Sequence, residues 1–243
     1  MTVGELCNMI GEYMATTGTN RLPTSARLQM VNLAQKWLAR QFDWSWFGAD
    51  FQGTSMPFTW QRVQLPTNFL RPVRIYYQDP DTGIDVELTG SGRFMDITEL
   101  DLLYPGQNQT VTINGSPTTV YAPVSGKPVA CALWQNGIEL RPRFANGGSI
   151  RMRYYALPAD FAAANETSSP FLNAAWDAIL FTALARFAPP YMMEDARMAS
   201  WNEQMRQAIQ TVNTSQRAAQ GRGARPVARR PGLVIPRLEG VEA

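Results

Sequence analysis

Histidine is absent from this chain of 243 residues. Histidine is the commonest general base of enzymes, the usual partner of a serine or cysteine nucleophile, and the commonest protein ligand of zinc and iron. Its absence excludes those catalytic and metal-binding classes. Acid–base chemistry would have to come from carboxylates, lysine or tyrosine.

Cysteine is scarce, and long hydrophobic runs are missing. Cys7 and Cys131 are the two cysteines, and no Cys-x-x-Cys spacing occurs. A disulfide framework is therefore not expected, and a reducing cytoplasm suits the chain. Without a run of about 18 apolar residues, no membrane span is expected. The N-terminus also lacks the basic and apolar regions of a secretory signal, so we expect synthesis in the cytoplasm.

The motifs of common cofactor sites are also missing. The chain has no Gly-Lys-Ser/Thr phosphate loop, no third glycine after Gly90 and Gly92, and no Gly-x-Ser-x-Gly elbow. The acidic segment 79–87 places glycine fifth and Gly90 twelfth, where a calcium loop requires glycine sixth and glutamate twelfth. We interpret this segment as a hairpin turn. We therefore predict no enzyme, no metal site and no cofactor.

Charge is unevenly distributed along the chain. Residues 216–243 contain six arginines and two glutamates, giving +4, whereas the other 215 residues carry 16 basic and 18 acidic side chains, giving −2. The basic segment is rich in glycine and proline and contains the apolar stretch 233–238 near its end. Three readings are open: a solvated tail, a tail that binds nucleic-acid phosphates, and a tail that orders in a partner's groove.

Helical periodicity predicts two helices before residue 44. The first begins at a capping box formed by Thr2 and Glu5, and the second covers residues 24–43. The second helix ends in an aromatic cluster, which we interpret as core rather than as a platform for a sugar or a base. This cluster comprises Trp37, Phe42, Trp44, Trp46 and Phe47.

Short β-prone runs dominate the middle of the chain, with a short helix predicted at residues 96–104. Asn136-Gly137 predicts a hairpin between two of these runs. Alternation of apolar and charged residues is clearest in the last run. The runs cover residues 61–65, 73–77, 129–134, 138–140 and 150–155.

Helices return after Ser169-Pro170, which predicts an N-cap followed by proline in the first turn. A final helix is predicted over residues 194–216. We therefore predict an α+β fold: a helical bundle from the N-terminal and C-terminal helices, an inserted, mostly antiparallel β-region, and an extended C-terminal tail. The predicted segments are residues 1–48, 49–165, 166–215 and 216–243.

Five short motifs follow one another along the chain: Trp44 after the first two helices, Leu65–Pro72 entering a strand (with Asn68 at a position usually acidic), Gly126-Lys127-Pro128, Leu140-Arg141-Pro142, and Tyr154-Tyr155. Their order, completed by the helical pair after Pro170, resembles the head-to-tail adaptor (connector) proteins of tailed bacteriophages, especially short-tailed ones. The resemblance extends to about Val212.

The resemblance implies a structural protein of the virion, located at the head–tail junction. Such adaptors form a ring, commonly of twelve copies, beneath the portal protein. The ring connects the capsid to a nozzle or tube protein of the tail. Genomic DNA passes through its lumen without sequence recognition. A C-terminal extension reaches up to the portal, a role that the basic tail matches in position.

Two sets of contact residues follow as predictions. In the final helix, Trp201, Met205 and Val212 are predicted to pack between subunits. Docking on the portal is assigned to Arg222, Arg225, Arg229, Arg230, Leu233, Val234, Ile235 and Leu238.

The alternative function is a nucleic-acid-binding accessory protein that acts through the arginine tail. Two further alternatives are a tail-tip or carbohydrate-binding module that uses Trp44, Trp46 and Trp60, and a carboxylate hydrolase.

Overall fold

The structure is a computed structural model that describes residues 1–15, 22–54, 62–79, 81–90, 92–113, 116–124, 126–142, 149–162, 169–191 and 197–221. The helices in these residues are α1 (Val3–Ala15), α2 (Thr24–Gln41), α3 (Ile97–Leu103), α4 (Pro170–Thr182) and α5 (Met198–Gly221). The strands are β1 (Gly48–Thr54), β2 (Arg62–Gln64), β3 (Phe69–Gln78), β4 (Asp85–Glu87), β5 (Gly106–Ile113), β6 (Ser116–Pro123), β7 (Ala130–Trp134), β8 (Gly137–Arg141) and β9 (Ser149–Ala156).

Side-chain caps explain where α1 and α4 begin. The backbone N–H of Thr2 donates to Glu5 Oε2 at 2.7 Å, and the N–H of Glu5 donates to Thr2 Oγ1 at 3.2 Å. Ser169 Oγ accepts from the N–H of Leu172 at 3.0 Å at the start of α4. These contacts satisfy backbone donors that a helix leaves free in its first turn. The predicted capping box and the Ser169 cap are confirmed.

Four helices form one bundle with a shared apolar core. Helix α4, continued by the π-helical turn Ala183–Phe187, packs against α1, α2 and α5. Leu6, Leu38, Ile179 and Leu184 are fully buried in this core. The N-terminal and C-terminal helices therefore join in space, as the predicted α+β fold requires.

The β-region lies between the two halves of the bundle in the sequence. Its main sheet has the strand order β1-β9-β3-β4 and its second sheet the order β2-β8-β7, with antiparallel pairing throughout. Val63, Ile75, Ile138, Ile150 and Met152 meet in a separate core between these sheets. The strand that leaves the bundle, β1, pairs with the strand that returns, β9, so the insertion starts and ends at one place.

Both predicted hairpin turns are present, and one of them lies one residue earlier than predicted. The acidic segment is a hairpin between β3 and β4, with Gln78 opposite Asp85, as predicted. The hairpin between β7 and β8 is also confirmed, but Trp134 pairs with Gly137, so its loop is Gln135-Asn136, one residue earlier than predicted. Gln135 has a φ of 52°, in the left-handed region.

Four strands were not predicted: β1, β4, β5 and β6. The strands β5 and β6 pair along their full length as a two-stranded sheet and flank Asn114-Gly115, a hairpin dipeptide as strong as the one that the prediction used. Strand β1 has few branched residues and is defined by its pairing with β9, a contact remote in sequence. The pairing with β9, and not the local sequence pattern, therefore makes residues 48–54 a strand.

Helix α5 extends beyond its predicted end. The prediction stopped at residue 216, whereas α5 continues to Gly221 through Ala218 and Ala219. Alanine has the highest helix propensity, which favours this extension. The predicted start, at residue 194, lies outside the described residues. Among the described helices, none combines the length and apolarity that a membrane span requires.

Candidate functional site

An aromatic turn closes one end of the bundle after α2. Trp44 is 2% exposed and stacks on Phe42 and Phe47, with ring centroids 5.1 and 6.0 Å apart. Phe171 of α4 lies 5.8 Å from the Trp44 ring. Trp46 is half-buried against the same ring. This burial confirms that the cluster belongs to the core. It also counts against sugar binding by Trp44 and Trp46. Trp60, the third tryptophan of that alternative, lies outside the described residues.

The same turn holds the C-terminal part of α5. Trp44 Nε1 donates a hydrogen bond to Asn213 Oδ1 at 2.7 Å. Ser45 donates twice to Gln216 Oε1, from its hydroxyl at 2.8 Å and from its backbone N–H at 3.3 Å. Because Trp44 is fixed by ring packing on three sides, these bonds fix the position of α5 within two turns of its end.

The arginine-rich segment begins immediately after this anchored helix end. Arg217, Ala218 and Ala219, the three residues that follow Gln216, are exposed. The eight residues predicted to dock on a portal lie after Gly221, outside the described residues, and their role stays a prediction. The anchor at Asn213 and Gln216, which positions the base of the segment, was missed by the sequence reading. Trp44 itself had been noted, but no local signal pairs it with α5.

The residues predicted to pack between subunits lie inside a single chain. Trp201, Met205 and Val212 are 2%, 5% and 3% exposed and belong to the bundle core. Their near-heptad spacing is used to pack α5 on α4. With so little of these side chains exposed, the surface that α5 offers to another molecule is its opposite face.

A second link joins the β-region to the bundle. Arg71 of β3 donates from Nε to Asp43 Oδ1 at 2.7 Å, and its guanidinium lies 4.8 Å from the centroid of the Tyr155 ring. Tyr155 donates its hydroxyl to the carbonyl of Asp43 at 3.3 Å. Burial, and next the Asp43 charge, raise the pKa of Tyr155, so it stays protonated at neutral pH. The link orients the main sheet on the bundle.

The acidic hairpin has no arrangement suited to a calcium ion. Asp79 accepts from Lys127 and from the backbone N–H of Asp81, and Asp85 pairs with Arg151 at 3.0 Å. The hydrogen bond from Lys127 is the main reason that the pKa of Asp79 is lowered. No group of three potential ligands gathers anywhere in the described residues. Two of the four carboxylates, those of Asp79 and Asp85, thus pair with basic side chains.

A shallow groove of about 520 Å³ crosses the outer face of the main sheet. Its two carboxylates each face an arginine: Asp50 lies 3.4 Å from Arg153, and Asp85 lies 3.0 Å from Arg151. Asp50 is on β1 and Asp85 on β4, the opposite edges of a four-stranded sheet, about 14 Å apart at the usual strand spacing. Glycoside hydrolysis needs two carboxyl groups about 5–9.5 Å apart. This groove therefore does not support the hydrolase alternative.

Both cysteines are buried thiols. Cys7 lies in the bundle core and Cys131 in the β-region core, and neither forms a disulfide. Burial raises the pKa of Cys131 to about 12 and also raises that of Cys7. Neither thiol is a reactive nucleophile at neutral pH.

Comparison with known proteins supplies the family. No curated protein matches the chain. The family model described as SU10 adaptor protein matches residues 1–230, which covers the bundle, the β-region and the start of the arginine-rich segment. The chain therefore belongs to the SU10 adaptor protein family, the phage head-to-tail adaptor class that its order of motifs resembles.

Proposed function

We propose that this protein forms the head-to-tail adaptor ring of a phage virion. The ring binds the portal protein at the capsid vertex and connects the capsid to a nozzle or tube protein of the tail. The genomic DNA leaves through its lumen. The role is structural, without catalysis or cofactor.

The observation that carries the proposal is the anchored end of α5. Trp44 and Ser45 hold Asn213 and Gln216, and the arginine-rich segment starts only a few residues later. The 22 residues that follow Gly221 can reach about 70 Å when extended. We call these residues, 222–243, the arm. Its base is fixed and its reach is long, and both properties are needed for it to cross from the adaptor ring to the portal ring.

The composition of the arm suits a partner's groove. The four arginines assigned to docking offer charge-assisted hydrogen bonds to carboxylates, and the stretch 233–238 offers apolar side chains for a pocket. An arm that becomes ordered only on the portal loses its conformational entropy at assembly, which disfavours premature association. We assign the docking contacts to Arg222, Arg225, Arg229, Arg230, Leu233, Val234, Ile235 and Leu238.

The charge of the body suits a DNA channel. Residues 1–215 carry a net charge of −2. A surface of this kind neutralises few phosphates and so binds DNA weakly, which lets the duplex slide. A strongly basic lumen would retain the genome instead.

The test is binding of the full chain, and of a variant ending at Gly221, to purified portal rings of the same phage, followed by native mass spectrometry. We expect many copies of the full chain per portal ring, and none of the shortened variant. The shortened variant must keep its unfolding midpoint, which shows that the body is intact. Equal binding by both would refute the role of the arm.

Two matched variants separate the contributions within the arm. One replaces Arg222, Arg225, Arg229 and Arg230 by Gln, and the other replaces the four apolar docking residues by Ser. We expect both to lose portal binding, and the arginine contribution to weaken with salt. If portal binding is absent and the full chain instead binds duplex DNA with a steep salt dependence that the arginine variant abolishes, the nucleic-acid alternative is correct.

A further inference from the structure

The hairpin of β5 and β6 is a two-stranded sheet by itself. The two strands pair with each other along their whole length, and in the part of the chain that the structure describes neither has a second strand partner. No described helix packs extensively on either strand. A two-stranded hairpin alone is at best marginally stable in water. Its two open edges are therefore available for pairing with another chain.

The hairpin lies in the longest uncharged stretch of the chain. No Asp, Glu, Lys or Arg occurs between Asp101 and Lys127, a stretch of 25 residues, whereas the next longest such stretch has 11. Native proteins commonly guard an exposed strand edge with charged side chains, lysine above all. Because these edges have no charge, identical copies of the hairpin can lie side by side without repulsion.

Two prolines show which backbone groups point out of the hairpin. Along an antiparallel strand, successive residues direct their N–H groups alternately toward the partner strand and away from it. Pro117 and Pro123 have no N–H, so they fit positions that face away from β5. The register of the hairpin then gives the outward set on both strands. This set comprises Gly106, Asn108, Thr110 and Thr112 on β5, and Pro117, Thr119, Tyr121 and Pro123 on β6.

The two outward edges match each other in position. Thr110 pairs with Thr119 within the hairpin, and both residues belong to the outward set. Rotation about a ring axis involves no shift along that axis, so hairpins that stand along the axis meet at the same height. β6 of one copy then lies antiparallel to β5 of the next, with outward residues opposite outward residues. The two prolines remove two donors from this ladder, but their carbonyls can still accept.

Exposed apolar side chains lie at the foot of the hairpin. Leu102 is 80% exposed and Leu103 is 57% exposed, just before β5, and Val124, 41% exposed, follows β6 directly. Because Gly106 pairs with Pro123, all three lie near the same end of the hairpin. Exposed apolar side chains that gather at one place are typical of a contact with another protein.

We propose that β5 of one copy of this chain pairs with β6 of the next copy, so that the hairpins form one continuous antiparallel sheet around the ring. The inference rests on the proposed ring and names a contact between its neighbouring copies. Leu102 and Leu103 then lie near Val124 of the neighbour at the base of the sheet. Closure around the ring leaves no strand edge open. Duplex DNA is a poor occupant of these edges, because the hairpin offers no cation to its phosphates.

Disulfide trapping in the assembled ring tests the pairing. Two variants of the full chain, Thr110→Cys and Thr119→Cys, are mixed in equal amounts, assembled on purified portal rings without tail protein, and oxidised. Opposite residues of a hydrogen-bonded pair have Cα atoms about 5.5 Å apart, which a disulfide can bridge. Identical residues of neighbouring copies would lie about 10 Å apart, two strand spacings, which is too far. Cys7 and Cys131 are buried and give little background.

We expect disulfide-linked dimers in the mixture and monomers from either variant alone. Dimers from Thr110→Cys alone would show that two β5 strands pair with each other, and monomers throughout on fully occupied rings would show that the hairpins do not pair. Either result overturns the contact and leaves the proposed function standing. A wild-type chain that does not bind portal refutes the proposed function, and this inference with it.

A proline on the β5 edge gives a second readout. Thr110→Pro removes an N–H that points away from β6, so the ladder within the hairpin is kept while the outer edge is blocked. We expect partly occupied portals with a spread of copy numbers, and a concentration at half occupancy that is higher by about tenfold or more. Thr110→Val keeps both the N–H and a β-branched side chain, and should behave as the wild type. Full occupancy by Thr110→Pro at the wild-type concentration would overturn the contact.

Discussion

Arg62 and Gly137 form a tight contact at the residue scale. The Arg62 side chain crosses over Gly137 and continues to Glu139 Oε1, at 2.7 Å, and Gln135 Oε1, at 2.8 Å. A Cβ atom at Gly137 would lie 1.9 Å from Arg62 Cγ. Glycine is therefore required by this close approach, because Cγ cannot move without displacing the whole arginine.

Gly137→Ala is expected to lower the free energy of unfolding by about 2 kcal/mol, the usual range for forcing atoms into an occupied space. Urea unfolding measures the effect. The double variant Arg62→Ala with Gly137→Ala removes the obstructing side chain and should be less destabilised than the sum of the single changes. Simple additivity would show that the clash is not the cause.

Asp79 is a second residue whose surroundings set its chemistry. Its carboxylate accepts from Lys127, and this hydrogen bond is the main reason that its pKa is below the ordinary value. A depressed folded-state pKa stabilises the fold above the unfolded value of about 3.9. The contribution is lost as the pH falls through the folded-state pKa.

Asp79→Asn should therefore reduce stability at pH 7 and make stability less dependent on pH in the acid range. Urea unfolding at a series of pH values from neutral to acid tests both points. Asp81→Asn, an exposed neighbour in the same turn, is the matched control. An Asp79→Asn variant whose stability falls with acid as steeply as that of the wild type would contradict the assignment.

At the element scale, α5 depends on the aromatic turn. Trp44 and Ser45 join α5 across about 170 residues of sequence, and the arm begins just beyond this junction. The same turn starts β1, which pairs with the returning strand β9. One short segment thus connects the bundle, the β-region and the base of the arm.

Trp44→Phe removes the donor to Asn213 and is expected to cost about 1–3 kcal/mol, since an acceptor loses its partner and packing is reduced. Amide hydrogen exchange should accelerate in residues 213–221 more than in α4. Trp46→Phe reduces the same aromatic cluster and serves as the control. Equal exchange in the two variants would show that the Trp44 bond does not hold the helix end.

At the scale of the whole molecule, folding and docking belong to different parts of the chain. Among the described residues, every buried apolar side chain lies at or before Val212, in the bundle core or in the cores of the β-region. The net positive charge lies after that point. The body can therefore fold without the segment that follows Gly221.

A chain that ends at Gly221 should unfold within about 2 °C of the full chain, which corresponds to less than about 1 kcal/mol at this size. Differential scanning calorimetry makes the comparison, with both proteins at the same concentration and salt. A drop several times larger would show that the segment packs on the body, and binding losses on truncation would then no longer identify a docking arm.

Local signals determined the ends of several elements. Three of these signals depend on contacts between residues only a few positions apart: the Thr2–Glu5 box, the Ser169 cap and the acidic turn. Such contacts can be predicted from neighbouring residues in the sequence. The absence of histidine and the separate arginine-rich segment are also properties of the sequence alone. The order of motifs was sufficient to indicate the adaptor family that the family model identifies.

Contacts between distant residues were decided only by the tertiary structure. Strand β1 exists because β9 pairs with it, and Trp44 meets Asn213 because α2 and α5 both pack on α4. Trp201, Met205 and Val212 show most clearly what the sequence pattern leaves open. Periodicity identifies an apolar helix face, but it does not say whether that face is buried within its own chain or against a neighbouring chain. Burial depends on which surfaces are left after the whole chain has packed, and no local pattern contains that information.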